Sequence, residues 1–120
     1  MAAANSYERV FNMPFAKVYP LLTAKARKRG RTDEEVAAAT SWLTGYDAAG
    51  IEDAQQSGIT YGNFFRNAPH PNPKRERVGG RICGVVIEEI DDPLMRDIRR
   101  LDKMVDELAR GKALDKVLRK

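Results

Sequence analysis

The chain has one cysteine and one histidine among its 120 residues. With Cys83 alone, no internal disulfide framework can form. His70 lies in a proline-rich stretch and has no clustered partner, so it reads as a solvated loop residue. Metal ligation or proton transfer would need companions that the sequence does not supply. Long hydrophobic runs are also missing. The longest apolar stretches span a few residues, as at Cys83–Ile87, and none is long enough to cross a bilayer. The start, "MAAANSYERV", lacks the charged beginning and apolar stretch of a signal peptide. There are no internal repeats and no low-complexity tracts. These absences point to a cytoplasmic protein with no membrane association.

What is present is ordinary for a globular domain. Hydrophobic residues make up 42% and charged residues 32% of the chain, which argues against disorder throughout. A chain of 120 residues suits one domain with one modest core. The expected organisation is a flexible tail over 1–6 and a single globular domain over 7–120.

The net charge of +4 is unevenly spread. Residues 1–31 carry +6, 32–58 carry −6, 59–81 carry +4, 82–98 carry −4 and 99–120 carry +4. A basic balance is one mark of a nucleic-acid partner. Acidic blocks this strong repel phosphate unless they face elsewhere. The plainer expectation is that neighbouring blocks pair, within the chain or across a dimer.

The stretch "KARKRGRTDEEV" (25–36) changes sign in its middle. Gly30 sits where a helix-ending glycine belongs. Lys25, Arg27, Lys28 and Arg29 lie in the turns before it, against the negative end of the helix dipole. Thr32 and Glu35 have capping-box spacing, with Asp33 and Glu34 in the positive first turn. Helix ends therefore account for the change of sign. They do not require so many cations, and a surplus is left for a partner.

Apolar spacing sets out the helices. Phe15, Val18, Tyr19, Leu22 and Ala26 share one stripe. Pro20 interrupts it, predicting a kink or a helix that begins there. A second helix over about 33–44 presents Val36, Ala39 and Leu43, with Trp42 beside them. Asp47 is placed to cap a third through about Gln56, and Thr60 a short fourth. Asp92 and Pro93 open the clearest helix, where Leu94, Ile98, Leu101, Val105 and Leu108 recur at spacings of four and three. "KALDKVLRK" adds a short final one.

"RICGVVIEEI" is rich in β-branched residues and reads as a strand. Gly79-Gly80 is then the turn to a partner at 75–78, or "YERVFNM" is the partner. The expected fold class is α+β, predominantly helical, with five or six helices and a short β element near 75–90.

Candidate chemistry is sparse. Cys83 lacks a second cysteine at CxxC spacing and, in an apolar strand, reads as a small core residue. The Glu88–Asp92 acids precede a helix, where first-turn acids are expected without a metal. "VGGRICG" has neither dinucleotide nor P-loop spacing. No cofactor, metal site or catalytic residue is assigned. The candidate polyanion-binding residues are Lys25, Arg27, Lys28, Arg29 and Arg31, and a second group of Lys74, Arg75, Arg77 and Arg81. Arg96, Arg99, Arg100 and Lys103 ride one flank of the long helix. Tyr61, Phe64 and Phe65 are candidates for base stacking, although the two phenylalanines fit a core better. The helices around Gly30 have the outline of a helix-turn-helix. Its recognition helix would begin with Asp33, Glu34 and Glu35 against phosphates, which argues against it.

The segments "FNMPFAKVYPLLTAKARKRGRTDEEV", "SWLTGY", "ITYGNFFRNAPHPNP" and "ICGVVIEEIDDPLMRDIRRLDKMVDELARGKALDKVLRK" together resemble a family of small bacterial proteins known as domain of unknown function 2200. The resemblance runs from about Arg9 to Lys120. It implies a complete cytoplasmic bacterial protein and no particular activity. The leading functional expectation is a non-enzymatic binding or interaction module for nucleic acid or an acidic protein. The alternatives are a small enzyme using Cys83 or the Glu88–Asp92 acids, and a self-associating protein whose charge blocks pair between subunits.

Overall fold

A computed structural model describes residues 2–119, with side chains from Tyr7 onward; the tail expected over 1–6 falls on the residues before that point. Seven α-helices are present among the described residues: α1 (Ala2–Phe11), α2 (Phe15–Arg27), α3 (Asp33–Thr44), α4 (Ala48–Ser57), α5 (Tyr61–Arg66), α6 (Pro93–Ala109) and α7 (Leu114–Val117). Between α5 and α6 lie a 3-10 turn (Pro73–Arg77), strands β1 (Arg81–Ile82) and β2 (Val85–Val86), and a second 3-10 turn (Ile87–Glu89). The fold is α+β and mostly α, as the spacing predicts.

The long helix α6 organises the rest. The Asp92 carboxylate accepts from the Leu94 and Met95 amides at 2.9 and 3.1 Å, and Pro93 follows at the first helical position. Met95, Ile98, Leu101, Met104, Val105 and Leu108 are buried against α2, α3, α5 and β1. The expected stripe thus gains two methionines, while Leu94 at its edge is half-buried. From α2, Phe15, Tyr19, Leu22 and Ala26 complete the core with Val36, Ala39 and Leu43 of α3.

Pro20 neither starts nor ends α2, which runs through it from Phe15. Pro20 itself is exposed, so the ring meets solvent. A second correction concerns "YERVFNM". Residues 7–11 are the end of α1, not an extended strand. Tyr7, Val10 and Phe11 pack on the core, and the Arg66 guanidinium of α5 sits 5.3 Å from the Phe11 ring centre. The extended backbone comes just after: the Tyr61 amide donates to the Met13 carbonyl at 2.7 Å and the Phe15 amide to Ile59 at 2.9 Å.

The β element also differs from expectation. "RICGVVIEEI" is not one strand but a hairpin, with Arg81 opposite Val86 and Ile82 opposite Val85. Its two turn residues are Cys83 and Gly84, not Gly79-Gly80. Both have positive φ, 51° and 78°, the geometry of a type I′ turn whose twist suits a tight hairpin. The loop before it is anchored to the end of α3: the His70 amide donates to Thr44 and the Asn72 amide to Leu43, at 3.0 and 3.1 Å. No helix among the described residues is long and apolar enough to cross a membrane.

Candidate functional site

The sign change at 25–36 is built from two helix-end motifs back to back. After α2 the Arg31 amide reaches the Ala26 carbonyl and the Gly30 amide the Arg27 carbonyl, both at 3.0 Å. This is a Schellman turn, and it requires Gly30 at φ 80°. Thr32 then caps α3: its hydroxyl accepts from the Glu35 amide at 3.2 Å, and the Glu35 carboxylate accepts from the Thr32 amide at 3.0 Å.

The five cations of this stretch divide. Arg27 forms a two-bonded pair with the Asp33 carboxylate, which is thereby held below the usual carboxylate range. Arg31 binds Glu35 at 2.6 Å and lowers its pKa as well, with help from the Thr32 amide. The same Arg31 guanidinium donates to the Lys112 and Leu108 carbonyls at 2.9 and 3.3 Å, closing the end of α6. Lys25 pairs with Asp106 at 3.1 Å. Lys28 and Arg29 are exposed, and their side chains have no bonded partner among the described residues. Together with Lys25 and Arg110 they line an open depression of about 600 Å³ between the last turns of α2 and α6, where Asp106 is the one acid. The Arg110 side chain is 79% exposed.

The second group does not join the first. Lys74, Arg75 and Arg77 ride the 3-10 turn, and Arg81 opens β1. Lys74 and Arg81 are exposed. The Arg75 guanidinium binds Asp97 at 3.1 Å, close to the start of α6. Arg110 follows Arg96 by fourteen positions, a helical rise of roughly 20 Å. Arg75 therefore sits near the opposite end of α6 from the first group, while Arg81 lies farther along the helix, beside Lys103. On the flank between the two ends, Arg99 pairs with Asp102 at 3.0 Å, Arg100 with Asp97 at 2.8 Å, and Lys103 donates to the Arg81 carbonyl at 3.1 Å. Ion pairs within the chain thus join the first basic block to the acids of α3 and α6, and the second to Asp97.

A family model described as "Uncharacterized protein conserved in bacteria (DUF2200)" matches residues 9–119. The chain belongs to this family. A crystal structure titled "uncharacterized protein SP1917" is 51% identical, covers 92% of this chain and 91% of its own, and superposes with a TM-score of 0.89. Among curated proteins none matches. The relatives supply a fold and no reaction, so the remaining candidates rest on their geometry in this DUF2200 chain.

Cys83 is exposed in the hairpin turn, which corrects its expected place in the core. The residue was legible as a turn only through the glycine that follows it. Two of the four acids are spent on backbone: Glu88 accepts from the Gly80 amide at 2.9 Å, and Asp92 caps α6. His70 is exposed, on the loop that closes α3. Among the described residues no three His, Cys, Asp or Glu side chains are grouped to hold a metal ion. Tyr61, Phe64 and Phe65 are all buried, which removes Tyr61 from the candidates for base stacking. Phe64 instead stacks between Phe15 and Tyr46, at 4.0 and 4.3 Å between ring centres.

Proposed function

We propose that this protein is a non-enzymatic binding module for a polyanion, with nucleic-acid phosphates as the ligand class. The reading rests on the depression at the end of α2 and α6, where Lys28 and Arg29 stand beside Lys25 and Arg110 with Asp106 the one acid. Lys28 and Arg29 meet a phosphate backbone without first breaking an ion pair, whereas Lys25 and Arg110 are each paired with Asp106, at 3.1 and 2.8 Å. The resulting affinity comes from counterion release and carries little sequence preference. Arg27 and Arg31 are excluded from the contact set, because neither lines the depression and each is bonded to a carboxylate of α3. The proposed ligand is found in the cytoplasm, and on this reading so is the protein.

The test is a titration of labelled DNA and RNA at two salt concentrations, with wild type and the Lys28→Glu, Arg29→Glu double variant. Wild type binds at low salt and loses affinity steeply as salt rises. The double variant binds far more weakly while its melting temperature hardly moves. Absence of wild-type binding at low salt ends the nucleic-acid reading and leaves an acidic protein as the partner to seek.

A further inference from the structure

A second pocket, of about 270 Å³, opens at the other end of α6. Arg75, Arg96 and Arg100 line it, with Asp97 and Glu76, between walls formed by Pro73 and Pro93. Two of the guanidiniums share one oxygen: Asp97 Oδ1 accepts from Arg75 Nε at 3.1 Å and from Arg100 Nη1 at 2.8 Å. Each also holds a carbonyl, Arg75 that of Asn72 at 2.9 Å and Arg100 that of Val78 at 3.4 Å. Arg96 differs. Its Nε is buried and has no hydrogen-bond partner among the described residues.

We propose that this pocket binds a small phosphate monoester. A buried donor without an acceptor is costly, and a turn of the Arg96 side chain that brings this N–H to an anion in the pocket removes that cost. Against Asp97 the three guanidiniums leave two positive charges, and Glu76, exposed at the rim, reduces this by one at most. A phosphate group, as a mono- or dianion, matches an excess of one to two charges. Guanidinium forks also suit phosphate oxygens geometrically. The volume falls just below the usual range for pockets that hold drug-sized ligands, so a phosphate with a short substituent fits and a nucleotide cofactor does not. This site lies about 20 Å along α6 from the polyanion surface and does not depend on it.

The probe is inorganic phosphate, titrated into the full chain at constant ionic strength and followed by the NMR signals of the arginine Nε–H groups. The expected result is a saturable shift of the Arg96 signal. Arg96→Gln weakens binding by roughly tenfold or more, the effect of losing a charge-assisted bond. Lys28→Glu, Arg29→Glu titrates like wild type. Should Arg96→Gln fail to fold, Arg96→Lys replaces it: charge is retained, the fork is lost, and binding still weakens. Glycerol phosphate displaces inorganic phosphate if the ligand is a free small molecule. A shift that never saturates overturns the site, as does a folded Arg96 variant that binds like wild type. Binding seen only with a 5′-phosphorylated oligonucleotide overturns the small-molecule assignment.

Discussion

Arg31 and Lys112 lie 81 positions apart, and the Arg31 guanidinium donates to the Lys112 carbonyl at 2.9 Å. The same side chain holds Glu35 at 2.6 Å. One residue thus ties the start of α3 to the end of α6, and it comes from the stretch whose cations look superfluous in sequence.

Replacing Arg31 by Ala is expected to lower stability by about 1–3 kcal/mol, because the Glu35 carboxylate and the end of α6 both lose a charged donor. Lysine at this position restores only part of the loss, since its single ammonium cannot serve the carboxylate and both carbonyls at once. Denaturant unfolding of the two variants measures the difference. Equal stability of Arg31→Ala and wild type would show that the guanidinium is a surface ornament.

Glu35 gives this tie a pH signature. Its folded pKa lies below the ordinary value of 4.5, chiefly through Arg31. The stability it contributes is therefore complete above that value and is lost as the pH falls through the depressed folded pKa. Asp102 works in the opposite sense, because burial raises its pKa and acid relieves the cost of its charge. Glu35→Gln is expected to lower the melting temperature at neutral pH and to converge with wild type in acid. Melting curves across that range decide the matter; a constant offset at every pH would contradict the assignment.

The helices were legible to the degree that their signals are local. Thr32 with Glu35, Asp92 with Pro93, and the spacing from Ile98 to Leu108 each lie within a few turns of one helix. The end of α1 was not, because its helicity comes from packing Tyr7, Val10 and Phe11 on the core. The hairpin was misread because β-branched residues continue on both sides of its turn, and Gly79-Gly80 offers a stronger turn signal nearby. The candidate sites were the least legible. Whether a cation is free depends on partners such as Asp106 for Lys25 or Asp97 for Arg75, which spacing along the chain does not reveal.

Leu101 is fully buried at the centre of α6. Leu101→Ala is expected to cost about 2–5 kcal/mol, the transfer term plus the cavity left behind. Thermal or denaturant unfolding reads it directly. A change within error would place the α6 stripe outside the core.

Cys83 carries the last prediction. It is exposed and holds φ at 51°, in the left-handed region that costs most residues about 1–2 kcal/mol. Asparagine tolerates that region and, followed by Gly84, forms the pair that a type I′ turn favours most. Cys83→Asn is therefore expected to raise stability by up to about 1 kcal/mol, with the hairpin register of Ile82 and Val85 unchanged. The thiol itself should react with a thiol reagent in the native protein nearly as fast as in the unfolded one, because nothing covers it. Protection of the native thiol would mean that the hairpin tip is folded under or held by a partner. A loss of stability in Cys83→Asn would mean that the sulfur makes contacts worth more than the backbone strain it imposes.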